Sequence, residues 1–240
     1  MDTTVDEIAE RIYRLSTFVP DIGPTGFTFN QFLIDAEEPT IFHTGPRRMF
    51  PAVSKAVTSV MPLENLRWIM FGHLESDECG AMNNFLEAAP NAQIAHTAVG
   101  CMVSIDDLAD RTPTPLASDE VVDIGGRRIR NIDTPHVPHG WDAHVIYEET
   151  TGTLFCGDLL TQVGQGPAVT GNDLVEAAIQ AEDMFRSSCI TSKTAPTIRR
   201  LAELNPTTLA IMHGSSYDGE ASDALLAIAD VYEKRLTQAD

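Results

Sequence analysis

Apolar and charged residues from Val5 to Leu15 recur at intervals of three to four, which predicts an amphipathic helix at the start of the chain. GFTFNQFLID and PTIFHTG then read as two strands joined by an acidic turn at Glu37 and Glu38, a hairpin. Arg48 to Met61 suits a helix and Arg67 to Gly72 a buried strand. Glu78 to Ala89 suits a helix with acid in its first turn and Pro90 as its stop. A strand at AQIAHT follows. EVVDI and RRIRNID flank the Gly125-Gly126 turn, and AHVIYEE and GTLFCGD flank Thr150, Thr151 and Gly152 as a further hairpin. Helices over 172–187 and 194–204, the strand TTLAIMH and a last helix through Leu225 to Leu236 complete the pattern. Strands arrive in two batches, each mixed with helices that need a sheet face to cover. The fold class this predicts is α/β, a four-layer αββα sandwich of two mixed sheets packed face to face.

At 240 residues and 43% hydrophobic content the chain can bury a sizeable core. No repeat, low-complexity tract or long linker divides it, so residues 1–240 are expected to form a single domain. The opening MDTTVDEIAERIYRL lacks the basic and apolar regions of a signal peptide, and no run approaches the ~18 apolar residues of a membrane span. A cytoplasmic location is expected. The net charge of −19 argues against nucleic acid and anionic lipid as partners and predicts that any electrostatic partner is basic. Cys79, Cys101, Cys156 and Cys189 are too widely spaced for a metal knuckle or a disulfide framework and read as isolated buried thiols.

The densest chemistry follows the strand RWIMFG, where His73, Glu75, Asp77 and Glu78 place four candidate ligands within six residues. Alternate side chains leaving a strand end can face one pocket, and a helix N-terminus tolerates the charge of Asp77 and Glu78. By itself the run reads equally as a capped helix with an acidic first turn. Three further groups have the same setting after apolar strands: His139 in TPHVPHGWD, Asp158 ending TLFCGD, and His213 ending TLAIMH. Each alone is more often a turn or loop residue, but together they require several coincidences, which favours a metal site. His136 is a rival for His139; His43, Thr44, Trp141, Asp142, Ser215 and Tyr217 are weaker candidates for the surroundings. The loop from Leu159 to Gly171 is expected to lie over the site.

These residues resemble the signature of the metallo-β-lactamase fold, H-x-H-x-D-H followed by separate His, Asp and His, in order and approximate spacing from Gly26 to His213. Glu75 in the third position, His73-x-Glu75-x-Asp77, resembles more narrowly the diiron domain of the flavodiiron proteins, which reduce dioxygen or nitric oxide. That resemblance implies one metal on His73, Glu75 and His139, a second on Asp77 and His213, and Asp158 as the bridge. Glu78 stands where that pattern usually has histidine; it either coordinates or turns away. Flavodiiron proteins also carry a flavodoxin-like domain, for which the residues after His213 leave no room. A reductase would therefore draw on an external electron donor such as a rubredoxin or a flavoprotein. The resemblance also implies a head-to-tail homodimer.

Oxygen-rich ligand sets suit iron or manganese better than zinc, so two metal ions per chain are expected, iron foremost. The function this implies is a dinuclear non-haem iron protein that binds and reduces dioxygen or nitric oxide. The alternatives are a dinuclear metal hydrolase acting on a thioester, phosphodiester or lactam, in which paired metals activate water, and a non-catalytic oxygen-binding or sensor protein.

Overall fold

The computed structural model describes residues 2–239. One sheet contains, in spatial and chain order, Thr3–Ala9 (β1), Ile12–Val19 (β2), Phe27–Ile34 (β3), Thr40–Phe42 (β4), Trp68–Met70 (β5), Gln93–Thr97 (β6) and Thr114–Leu116 (β7). The strands of the other are Val121–Asp123 (β8), Arg128–Asp133 (β9), His144–Glu148 (β10), Thr153–Gly157 (β11), Val169–Thr170 (β12), Thr208–Ile211 (β13) and Ser216–Tyr217 (β14). Their spatial order is β12-β14-β13-β11-β10-β9-β8. Both sheets are mixed: β1 to β4 pair antiparallel and β4 to β7 parallel, while β11 pairs parallel with β13 within an otherwise largely antiparallel sheet.

Three apolar clusters reveal the layers. Ile12, Phe32, Ile34, Phe42 and Met70 of the first sheet meet Ile129, Ile146, Phe155 and Ala210 of the second between the sheets. The outer face of the first sheet, through Leu15, Leu33, Ile41 and Ile69, packs on the helices Phe50–Thr58 and Met82–Ala88. The outer face of the second packs on Val175–Phe185, Thr194–Ala202 and Ala221–Ala239. The result is the predicted four-layer αββα sandwich. Among the described residues no helix is long and apolar enough to cross a membrane.

The opening segment departs from expectation. Val5 to Leu15 is a hairpin, not a helix, with Val5 opposite Leu15 and Arg11 in the left-handed region at the turn (φ 57°). Val5 and Leu15 pack outward while Ile8 and Ile12 pack between the sheets. A strand buried on both faces places apolar residues at odd as well as even intervals, which mimics helical spacing. The expected helix 78–89 is likewise two pieces, Ser76–Cys79 and Met82–Ala88, separated at Gly80 and Ala81. The short strands β7, β12 and β14 were not foreseen; each is only two or three residues long.

Between the sheets, beneath the strand ends, lie the buried imidazoles of His96 and His144, their rings 4.3 Å apart. His144 is bound by Asn131 Oδ1 at 2.5 Å and by the Phe71 carbonyl at 2.6 Å. Burial pushes its pKa down to about 4, the Phe71 carbonyl opposing and His73 assisting, and His96 shifts the same way. Burial therefore favours neutral His144, whose single N–H can serve only one of these two oxygens, and its contribution is complete above the unfolded pKa near 6.5 and lost as pH falls toward 4. Urea unfolding at pH 7 and pH 4.5 should show about 2–3 kcal/mol of acid destabilisation from this residue. A His144→Gln variant with the same acid slope as the parent would remove His144 from that account.

Candidate metal centre

The seven residues singled out lie past strand ends, in loops or in a short helix. His73 and Glu75 lie between β5 and the helix Ser76–Cys79, and Asp77 is in that helix's first turn. His139 lies between β9 and β10, Asp158 directly after β11, and His213 just past β13. Six converge. One donor atom each from His73, Glu75, His139 and Asp158 lie within 4.8 Å of one another. Glu75 Oε2 is 2.9 Å from His73 Nε2 and 3.1 Å from His139 Nε2, and Asp158 Oδ2 is 3.3 Å from His139 Nε2. The other oxygen of Asp158 is 3.0 Å from His213 Nε2, which is 3.5 Å from Asp77 Oδ2. Asp158 thus faces two groups with its two oxygens.

Local hydrogen bonds aim these side chains. His213 Nδ1 lies 2.7 Å from the Thr28 carbonyl, an acceptor only, so the proton is on Nδ1 and Nε2 is presented to the carboxylates. The Asp142 carboxylate accepts from the Leu74 N–H at 3.0 Å and so ties the loop carrying His73 to the loop carrying His139. Gly140 allows those loops to approach: its φ is +85°, and a Cβ there would sit 3.0 Å from His73 Cβ. Gly140→Ala combines a left-handed backbone cost of ~1–2 kcal/mol with pressure on His73. It should therefore lower stability by at least ~1 kcal/mol and weaken metal uptake, read by urea unfolding and chelator competition. Unchanged metal affinity would show that this close approach does not position His73.

The electrostatics suit a cation. Against the opposing effect of burial, Glu78, Glu75 and Asp158 raise the pKa of His73 to about 11, and Asp158 and Asp77 raise that of His213 to about 10. Hydrogen bonds from His139 and His73 hold Glu75 well below the usual carboxylate range. Buried Asp158, where burial alone would favour the neutral acid, is drawn down to about 2 by His213, His73 and His139. Asp158 Oδ1 has no aligned hydrogen-bond partner despite its short distance to His213 Nε2. Two donor atoms that point at shared space rather than at each other, in a field that favours positive charge, fit a divalent ion.

Glu78 stands apart. It is fully buried, and its carboxylate turns back to accept from the His73 N–H at 2.5 Å. His136 is exposed with φ 64°, its N–H bonded to the Gly140 carbonyl, outside both groups. His43 is buried behind Glu78, and Thr44 donates from N and Oγ1 to the Glu78 carbonyl. Trp141 is exposed, and Ser215 and Tyr217 are buried but do not line the cavity beside the donors. The loop after Asp158 borders that cavity only through Thr161; Gln162 and Gly164 are bonded back to His213 and Gly26. Sequence reasoning missed Phe27, Phe185 and Ser187, which line the same ~330 Å³ cavity. Phe27 packs on the His213 ring at 4.3 Å and on Phe185 at 5.5 Å. Cys79, Cys101 and Cys156 are buried as expected, whereas Cys189, in the irregular segment after Val175–Phe185, is exposed.

Residues 27–214 match the family described as ODP family beta lactamase, a range that runs from β3 through β13 and includes all seven residues. The chain belongs to this family. Among relatives of the ODP-family chain, the putative diflavin flavoprotein A 1 of Nostoc sp. is 27% identical over 140 residues, 56% of this chain and 23% of the relative. The rubredoxin-oxygen oxidoreductase of Megalodesulfovibrio gigas is 24% identical over 143 residues, 59% of this chain and 35% of the relative. The chain thus spans about a third or less of the length of these curated relatives. The flavodiiron protein from Giardia intestinalis superposes with a TM-score of 0.79 at 16% identity, over 96% of this chain and 59% of that one. The ODP-family chain therefore has the metallo-β-lactamase fold shared with the flavodiiron proteins.

Proposed function

We propose that the chain holds two iron ions, binds dioxygen or nitric oxide beside them, and reduces the gas with electrons from an external donor such as a rubredoxin or a flavoprotein. His73, Glu75 and His139 would hold one ion, Asp77 and His213 the other, with Asp158 between them. The observation that carries this reading is the donor set, three carboxylates to three imidazoles, with both oxygens of Asp158 directed to different groups. Paired ferrous ions supply two electrons, which a zinc pair cannot. The kinship with a rubredoxin-oxygen oxidoreductase supports the same class of reaction.

The chain's own residues would prepare the site. Thr28 fixes the His213 tautomer, Asp142 ties the His73 loop, and Phe27 with Phe185 places apolar surface beside the donors, where a small uncharged gas is admitted readily. A hydrolase reading has one observation in its favour: a second cavity, ~640 Å³, runs from Glu75 and Asp77 past Arg47 and Arg48, where an anionic substrate could be seated. Metal analysis of protein purified anaerobically from its native host separates the readings, since overexpression can load zinc by availability. About two irons per chain, with gas consumption in the presence of a reduced donor, is the expected result. Two irons with reversible gas binding and no turnover would make the chain a binding protein or sensor. Two zincs with thioester or phosphodiester cleavage would replace the proposal with hydrolysis.

A further inference from the structure

Glu78 occupies a chamber built for a carboxylate. A Cβ on Gly72 would lie 3.0 Å from Glu78 Oε2, and one on Gly157 3.5 Å from Oε1, so two backbone segments without side chains leave it room. Within that chamber Oε2 takes the His73 N–H, and Oε1 lies 3.1 Å from His73 Nδ1, at an angle short of an aligned hydrogen bond. On the other side is His43, held at φ 66°, with Nδ1 3.6 Å from Glu78 Oε2 and neither ring nitrogen otherwise bonded. Thr44 fixes the backbone carbonyl of Glu78 from the same strand end. All of these contacts hold the carboxylate on the far side of the His73 ring from Glu75 and Asp158, which approach Nε2.

We propose that Glu78 is not a metal ligand but the positioning residue of His73, accepting its Nδ1 proton so that Nε2 is fixed toward the metal it shares with Glu75 and His139. The proposal rests on the dinuclear reading above. An imidazole bound through Nε2 must carry its proton on Nδ1, and a carboxylate behind that proton both sets the ring's orientation and raises its donor strength. His213 has only the Thr28 carbonyl in this place, and His139 Nδ1 has no partner. His73 is thus the one imidazole of the three backed by a carboxylate. With Glu78 so engaged, the group around the second ion retains Asp77, Asp158 and His213 alone, and the two ions are bound unequally.

The test uses the full chain, stripped of metal and titrated with Co²⁺ as the probe, followed by its ligand-field absorption and by competition with chelators. In an Asp77→Ala background, which isolates the group containing His73, Glu78→Gln should weaken Co²⁺ binding by ~10–100-fold. Glu78→Leu, which leaves no acceptor, should weaken it further. In a His73→Ala background Glu78→Gln should have no effect on the residual affinity, because the residue it acts through is gone. Unchanged affinity of Glu78→Gln in the first background, or an equal loss in both, would overturn the proposal. So would a Glu78→Gln single variant that loses the ion at Asp77 and His213 while keeping the other, since Glu78 would then be a ligand. If the parent chain takes up no pair of ions, the dinuclear reading itself fails. Uptake of two ions with a silent Glu78→Gln defeats only this inference.

Discussion

Asp158→Ala should leave the chain unable to retain two metal ions. Metal analysis after gel filtration is expected to fall from about two ions per chain to one weakly held ion or none. Asp77→Ala should keep the ion of the other group. The difference follows from geometry: Asp158 alone presents one oxygen to His139 at 3.3 Å and the other to His213 at 3.0 Å, and its side chain is only 12% exposed. Loss of supporting residues around a metal site costs ~10–100-fold in affinity or activity, and loss of a shared ligand should cost at least the upper end of that range. Gas consumption by the iron-loaded variant should drop accordingly. Two ions retained in Asp158→Ala would remove this residue from its place between the groups.

The second large effect is expected from Phe155→Ala. Phe155 is fully buried between the sheets, with its ring 5.6 Å from those of Phe32 and Phe42. Truncation of such a ring costs ~3–5 kcal/mol because the facing layers cannot collapse fully into the space. Urea unfolding of the metal-free chain should show that loss. The strand that carries Phe155 ends at Gly157, directly before Asp158, so metal affinity should weaken alongside stability. A loss below ~1 kcal/mol would show that the two sheets repack around the smaller residue.

Most strand positions were legible, and six of the seven candidate donors converge, because the candidates follow apolar strands, a pattern preserved in linear sequence at His73, Asp158 and His213. Burial on both faces hid the first hairpin, since Val5 and Ile8 serve opposite layers. The role of Glu78 was open in sequence because its environment is made by Gly72 together with Gly157 and His43, the latter two distant in the chain. Phe185 offered no signal either; a phenylalanine at the end of an amphipathic helix looks like core until its packing on Phe27 is seen. Thr28 contributes through its carbonyl, which any residue there would supply, so its identity carried no information.

The donors come from both sheets: His73, Glu75 and Asp77 follow β5 of the first, while His139, Asp158 and His213 follow strands of the second. Bound ions would therefore rivet two halves that are distant in sequence, and such long-range contacts form late in folding. Asp158 and His213 follow β11 and β13, which pair in parallel although they are far apart in the chain. On the dinuclear reading, loading would require both sheets to be in place, and the metals available at that moment would govern which ion the chain acquires.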